Sequence, residues 1–144
     1  MKKIVVVHGP NLNLLGKREP HIYGTRSLAD LNDMVREKAK ELHVEVAVFQ
    51  SNHEGEIIDF LQKESPSAEG IVINPGALSH YSVALYDCLQ ALRLPVVEVH
   101  ISNIHAREEW RSRSLTARAA RGVIAGLGFD GYLHAMEFLI DQHE

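Results

Sequence analysis

The sequence predicts an α/β fold in which helices cover both faces of a five-stranded parallel sheet. Two observations predict it. Short runs rich in Val and Ile recur along the chain, and stretches with helical periodicity separate them. Strands buried on both faces are apolar along their whole length, and a strict alternation of strand and helix is typical of parallel sheets with right-handed crossovers.

Five segments are predicted as strands from their short, β-branched composition. In chain order they are Ile4–His8, Val44–Gln50, Gly70–Asn74, Val96–His100 and Gly122–Ala125. Five strands joined by helices suggest the flavodoxin-like order 2-1-3-4-5, a three-layer sandwich, although hydrophobic periodicity alone does not define the order.

Four helices are predicted between and after these strands. Ser27 can cap the first, with Asp30 in its first turn, and its apolar stripe recurs every three or four residues at Leu28, Leu31, Val35, Ala39 and Leu42. The others are predicted at Gly55–Glu64, at Ser82–Leu92 and from about Gly131 to Asp141.

Composition limits the class of protein. The 144 residues fit a single domain, expected over 1–144, and the net charge of -4 disfavours a nucleic-acid binder. Cys88 is the one cysteine, so we expect no internal disulfide, a small buried side chain and a reducing compartment. The sequence shows neither a signal-peptide pattern nor a membrane-spanning run, so we expect a cytoplasmic protein without membrane partners.

A long loop, Gly9 to Leu28, follows the first predicted strand. Its prolines and glycines exclude one continuous helix, and it is longer than the usual connection of about 2–6 residues. It carries Asn11, Arg18 and Tyr23. Loops at the carboxyl ends of parallel strands carry the chemistry of α/β proteins, so this loop is a candidate for an active site.

Polar residues also follow the other predicted strands. Ser51-Asn52-His53-Glu54 follows the second, Asn74 with Ser79 and His80 the third, and His100 with Ser102 and Asn103 the fourth. Since the carboxyl ends of parallel strands share one edge, these side chains are expected to form one site.

Glu98 and His100 lie two residues apart in a strand, so they are expected on one face of the sheet. A carboxylate there orients an imidazole and favours its protonated form, although an ion pair without chemistry remains an alternative. Tyr23 can be a base only if a cation such as Arg18 stabilises its phenolate, because phenol has a pKa of about 10. The alternative is a loop tyrosine that packs its ring.

Arginines cluster between residues 107 and 121. We interpret most of them as a solvated face paired with Glu108 and Glu109, while one or two could bind a carboxylate. The nine histidines lack metal-ligand spacings, so no metal is expected. GxGxxG, P-loop and GxSxG motifs are also missing from the sequence.

Four blocks closely resemble type II 3-dehydroquinate dehydratase, in that family's order. They are GPNLNLLGKREPHIYG, QSNHEGEIID, INPGALSHYS and EVHISNIHAREEWR, and the resemblance runs from about Ile4 to about Tyr132. Ser79 and Cys88 stand where threonine and alanine are common, and Ser112–Arg121 departs from the family pattern, which makes the packing after the site harder to predict.

The resemblance implies a flavodoxin-like enzyme that removes water from 3-dehydroquinate, through an enolate and without a cofactor, in the shikimate pathway to chorismate and aromatic amino acids. It implies that Tyr23 is the base, that Arg18 stabilises its phenolate and that Asn11 helps to hold a water on the enolate. His100 would protonate the leaving hydroxyl, with Glu98 orienting it.

The resemblance also implies a binding set, a lid and an assembly. Substrate contacts are expected from Asn74, His80, Ile101, Ser102 and Arg111. The Ile101 backbone and Ser102 would bind the carboxylate, and Arg111 a ring hydroxyl. Asp87 would reach a neighbouring subunit's site within a homododecamer, a tetramer of trimers, and the loop at about 16–25 would close over the substrate.

Two other function classes fit the sequence less well than the enzyme. A flavodoxin-like module that binds a flavin or a phosphorylated partner would need a phosphate-binding loop or an acidic cluster after strand one or three, and the sequence has neither. A degenerate relative kept for interaction is disfavoured because the residues expected to act are present.

Overall fold

The computed structural model describes residues 1–17 and 19–141, with the backbone alone at Tyr23. In this part of the chain five parallel strands form one sheet in the order β2-β1-β3-β4-β5. They are β1 (Lys3–His8), β2 (Glu45–Gln50), β3 (Gly70–Asn74), β4 (Val96–His100) and β5 (Gly122–Ala125). The predicted fold class and strand order are confirmed, and only the first residues of β1 and β2 differ from the prediction, by one position each.

The α-helices of the described residues are α1 (Pro20–Tyr23), α2 (Leu28–Leu42), α3 (Glu54–Glu64), α4 (Val83–Leu92) and α5 (Asp130–Asp141). The last four are the predicted helices, and each begins within one residue of its predicted start. Helix α1 was not predicted: it is a single turn within the segment predicted as a loop. Pro20 opens it, and proline favours the first position of a helix because its φ is already helical.

Two apolar cores lie on opposite faces of the sheet. On one face α2 and α5 cover Ile4, Val6 and Val72. On the other face α3 and α4 cover the strand residues that alternate with these, including Val7 and Ile73. These side chains are fully buried, and each such Val or Ile contributes about 1.5–3 kcal/mol to folding. Apart from Glu98 in β4, the interiors of the strands are apolar, so polar side chains occur mainly near the strand ends.

Helix α2 has the N-terminal cap and the buried apolar stripe that its sequence predicted. The Ser27 hydroxyl accepts a hydrogen bond from the backbone of Asp30 at 3.1 Å, and the Asp30 carboxylate accepts one from the backbone of Ser27 at 2.9 Å. This is a complete capping box. Leu31, Val35 and Ala39 of its predicted stripe are buried against the sheet.

The segments that follow β1 and β3 lie in direct contact at Gly9. The Gly9 amide donates to the Asn74 carbonyl at 2.7 Å. A Cβ on Gly9 would lie 2.4 Å from the carbonyl oxygen of Pro75, far inside van der Waals contact. The missing side chain therefore permits the approach that brings the two loops together at the carboxyl edge of the sheet.

None of the helices in the described part of the chain is long and apolar enough to cross a membrane.

We expect Gly9→Ala to lower the free energy of unfolding by about 1–3 kcal/mol, because the new methyl group must displace backbone atoms rather than a flexible side chain. Gly55→Ala is the matched control, since a Cβ there meets nothing within 4 Å. It lies in the first turn of α3 and should be neutral or stabilising by up to about 1 kcal/mol. Urea unfolding measures both, and equal stability of the two variants would contradict the close contact at Gly9.

Candidate active site

A cleft with a volume of about 160 Å³ opens at the carboxyl ends of β1, β3 and β4. Among the described residues, many of those predicted for the site line it: Asn11, Asn74, His80, His100, Ile101, Ser102 and Arg111. The structure therefore brings these residues to one place, as expected for the ends of parallel strands. Their individual roles stay predictions.

His100 and Glu98 form a buried pair at the end of β4. His100 Nε2 lies 2.8 Å from Glu98 Oε2, and both side chains are almost wholly enclosed. Because a carboxylate only accepts, Nε2 is the donor. His100 also lines the cleft, so Nδ1 is the ring nitrogen available to exchange a proton with a bound molecule. The prediction that these two residues share a face of the sheet is confirmed.

Two hydroxyl groups complete the surroundings of Glu98. Ser114 Oγ donates to Oε2 at 2.6 Å, and Thr116 Oγ1 donates to Oε1 at 2.5 Å. Burial by itself raises the pKa of Glu98, but the hydrogen bonds from His100, Ser114 and Thr116 outweigh it and hold the pKa below its usual value. Glu98 is therefore a carboxylate at neutral pH although it is fully buried.

Sequence reasoning missed Ser114 and Thr116. They lie in Ser112–Arg121, the segment that departs from the family pattern. The structure shows that this segment packs over the end of β4 and also binds the loop after β3. The Leu115 amide donates to the Ser79 carbonyl at 2.6 Å. The packing that the sequence left open is thus a direct support of the site.

His80 is oriented by the same segment. Its Nδ1 lies 2.7 Å from the Arg113 carbonyl oxygen, so Nδ1 carries a proton and donates. Its ring makes a T-shaped contact with Trp110 at a centroid distance of 5.3 Å. Nε2 is consequently the nitrogen of His80 that is left for a molecule in the cleft.

Arg111 is fixed at the wall of the cleft by two contacts. Its guanidinium lies 4.2 Å from the centre of the Trp110 ring, and its Nε donates to Glu108 at 3.0 Å. Arg113, by contrast, lies 4.0 Å from Glu109, with both side chains largely exposed. The interpretation of the basic segment as a mostly solvated face with one or two arginines near the site agrees with this arrangement.

A second cavity of about 450 Å³ adjoins the cleft at Ser102. Ile22 and Gly24, on either side of Tyr23, line it together with Arg107. The backbone of α1 thus comes near the cleft. Arg18 and the side chain of Tyr23 lie outside the described residues, so their positions stay predictions. Asp87 is exposed on α4 and does not line this chain's cleft.

A further polar cluster, not foreseen from the sequence, lies behind the cleft on the face covered by α2 and α5. His8 Nε2 lies 2.8 Å from Asn32 Oδ1, and its Nδ1 lies 3.0 Å from the Tyr132 hydroxyl. Burial lowers the pKa of His8 to about 4, although the hydrogen bond with Asn32 opposes this shift. Burial also raises the pKa of Tyr132, which hydrogen-bonds with Asn74. A histidine at the end of a strand carries no sequence signal for such contacts.

Within residues 1–17 and 19–141, no three His, Cys, Asp or Glu side chains are grouped so that they could hold a metal ion.

Comparison with known proteins agrees with this fold. The family model described as dehydroquinase class II matches residues 2–140. The chain is 57% identical over 141 residues to the 3-dehydroquinate dehydratase of Halothermothrix orenii, covering 98% of this chain and 95% of that protein.

Solved structures also match nearly the whole chain. The type II dehydroquinase of Butyrivibrio crossotus superposes with a TM-score of 0.93 at 46% identity, covering 96% of this chain and 97% of that one. The Propionibacterium acnes type II dehydroquinase also gives 0.93, at 43% identity and 97% of both chains. The chain is therefore an α/β protein with a polar cleft at the carboxyl edge of its sheet, and it belongs to the class II dehydroquinase family.

The depressed pKa of His8 predicts that acid destabilises the fold. An unfolded histidine binds its proton near pH 6.5, whereas His8 in the fold does so only near pH 4. Between these values the unfolded state binds more protons, so stability falls as the pH falls, by about 3 kcal/mol in total. Urea unfolding at several pH values measures this loss.

His8→Gln should make the pH dependence shallower in this window. The matched control is His134→Gln, which removes an exposed histidine on α5 and leaves the buried contacts of His8 intact, so the loss of stability on acidification should persist. An identical slope in His8→Gln and in the native protein would contradict the assignment to His8.

Proposed function

We propose that the cleft removes water from 3-dehydroquinate to give 3-dehydroshikimate, a reaction of the shikimate pathway to chorismate and aromatic amino acids. The name of the Halothermothrix orenii relative supports this substrate. The observation that carries the proposal is the His100–Glu98 pair, an imidazole that faces the cleft and is backed by a buried carboxylate. This pair suits an acid that must deliver a proton to a leaving hydroxyl.

The elimination requires an acid and a base with opposite pKa demands. The base takes a proton from the carbon next to the ketone, and the electron pair passes into an enolate. When the enolate collapses, the hydroxyl leaves and takes the proton of His100, so water is the second product. Glu98 stabilises the imidazolium before this step and orients its ring.

Tyr23 is the proposed base. A phenolate at neutral pH requires a pKa two or three units below that of free phenol, which corresponds to about 3–4 kcal/mol of differential stabilisation. Arg18 is the proposed source of that stabilisation. The flanking residues Ile22 and Gly24 line the cavity beside Ser102, and this supports the assignment of Tyr23 to the site.

The remaining predicted residues are proposed to bind and orient the substrate. Ser102 and the backbone of Ile101 take the carboxylate, and Arg111 takes a ring hydroxyl. Asn74 and His80 bind further oxygens, and Asn11 helps to hold a water on the enolate. This support comes from the common lining of the cleft together with the family resemblance.

The proposal extends to an active-site lid, to the oligomeric assembly and to the location of the enzyme in the cell. The segment 16–25 closes over the substrate and excludes water. Residues 1–144 act as one catalytic domain without metal or cofactor, in the cytoplasm. Asp87, which is exposed on α4, contributes to a neighbouring site in a homododecamer built as a tetramer of trimers.

The deciding experiment follows the absorbance of the conjugated enone when chelator-treated protein is mixed with 3-dehydroquinate. We expect turnover in the native protein, and a loss of about 10²–10⁴-fold in Tyr23→Phe, because proton abstraction loses its base. Substrate binding should survive, and the fluorescence of Trp110, the one tryptophan and a residue of the cleft wall, reports it.

Tyr81→Phe is the control for that substitution, since Tyr81 is 65% exposed and lies outside the lining of the cleft. It should retain the native rate. An absence of turnover in folded, assembled native protein would refute the proposed activity, and a near-native rate in Tyr23→Phe would refute Tyr23 as the base.

Thr116→Val tests the support of Glu98. The variant removes one of the three donors that favour the carboxylate, so the pKa of Glu98 should rise, and a ¹³C titration of the Glu98 carboxyl carbon measures this change directly. Thr116→Ser keeps the hydroxyl and should keep the native titration. If the Glu98 titration of Thr116→Val coincides with that of the native enzyme, the hydroxyl does not stabilise the carboxylate.

A further inference from the structure

A chain of buried polar side chains lies directly behind Asn74. His8 and Asn74 are the last residues of the neighbouring strands β1 and β3 and are paired in register. By strand alternation both lie on the face of the sheet that α2 and α5 cover. His8 and Tyr132 are fully buried, and Asn74 is 4% exposed. Asn32 of α2 and Tyr132 of α5 thus reach the same point from two helices.

The hydrogen bonds among these four side chains have a defined direction. Asn32 Oδ1 can only accept, so His8 Nε2 carries the proton and donates to it. Burial keeps His8 neutral near pH 7, so its Nδ1 has no proton and accepts from the Tyr132 hydroxyl. The Tyr132 hydroxyl has then donated its one proton, so its oxygen can only accept a further hydrogen bond.

The same direction extends to Asn74. The backbone of Gly76 donates to the amide oxygen of Asn74 at 3.1 Å. The NH₂ group is therefore the end of the amide that donates to the Tyr132 hydroxyl. Both ends of the amide are therefore engaged. Turning it over would place its oxygen against the oxygen of Tyr132 and its NH₂ group against the N–H of Gly76.

We propose that His8, acting through Tyr132, is a positioning residue that fixes the amide orientation of Asn74 and makes the N–H of Asn74 the group presented to the substrate. The N–H that remains after the bond to Tyr132 then selects an oxygen acceptor on the ligand. The inference rests on the proposed function, in which Asn74 contacts 3-dehydroquinate. Asn32 is the first member of this hydrogen-bonded series, because it sets the tautomer of His8.

Tyr132→Phe removes the hydroxyl and keeps the ring, so it interrupts the hydrogen bonds between His8 and Asn74 with little change in side-chain volume. The KM for 3-dehydroquinate should rise about five- to tenfold, with kcat within about twofold, because a binding contact is misdirected while the acid and the base are untouched. His8→Phe should produce the same split. In an Asn74→Ala background, Tyr132→Phe should have no further effect on KM.

A purely structural role of the buried cluster would give another result. Leu139→Ala is the matched control, since Leu139 is a buried residue of the same helix α5 and packs beside Gly70, at the opposite end of β3. It should lower stability and leave KM unchanged. The proposal is overturned if Leu139→Ala raises KM as much as Tyr132→Phe does. It is also overturned if Tyr132→Phe acts equally with and without Asn74.

A spectroscopic readout separates this proposal from the proposed function. In protein with ¹⁵N-labelled histidine, the His8 signals, assigned by their loss in His8→Gln, should show the tautomer protonated at Nε2. In ¹⁵N-asparagine protein, one side-chain N–H of Asn74 should exchange slowly with water and lose this protection in Tyr132→Phe. A proton on Nδ1, or unchanged protection, would overturn the proposal, whether or not the native protein turns over 3-dehydroquinate.

Discussion

Glu98 is a charged side chain enclosed by the sheet, and much of the site depends on the way this charge is stabilised. A buried carboxylate without partners would cost several kcal/mol and would take up a proton. Here one imidazole and two hydroxyl groups converge on it. The segment that supplies the hydroxyl groups must therefore pack against the end of β4. In doing so it also positions His80 through the Arg113 carbonyl oxygen.

The cleft is supported independently from the two faces of the sheet. Alternation along the strands places Glu98 and His100 on the face of α3 and α4, and His8 and Asn74 on the face of α2 and α5. The partners of His8 come from α2 and α5, whereas those of Glu98 come from β4 and from Ser112–Arg121, so a change in one cluster need not disturb the other. The close contact at Gly9 then joins the loops that leave β1 and β3.

The sequence predicted the features that depend on local pattern. The strands followed from β-branched composition, the helices from apolar periodicity and the capping residue Ser27, and the His100–Glu98 pair from a spacing of two. Short helix α1 was missed because a single turn has no periodicity to detect.

The tertiary contacts of Thr116 and Tyr132 were missed for a different reason. Tyr132 contacts His8 across 124 positions of the chain. Residues so far apart in sequence form no local pattern from which such a contact could be predicted. The clustering of the other site residues followed from the rule that parallel strands share their carboxyl edge. The roles of Arg18 and Tyr23 rest on the family resemblance, because no local pattern distinguishes a catalytic tyrosine in a loop from a packed one.

The packing of Arg111 on Trp110 and its hydrogen bond to Glu108 have an entropic consequence for inhibitors. A free arginine side chain carries about 2 kcal/mol of rotamer entropy, which a ligand normally has to remove when it immobilises the guanidinium. Here folding has already removed much of that freedom, since the guanidinium rests on an aromatic ring and its Nε is paired. A compact, oxygen-rich inhibitor that reaches Arg111 should therefore bind with a smaller entropic loss than its number of polar contacts suggests.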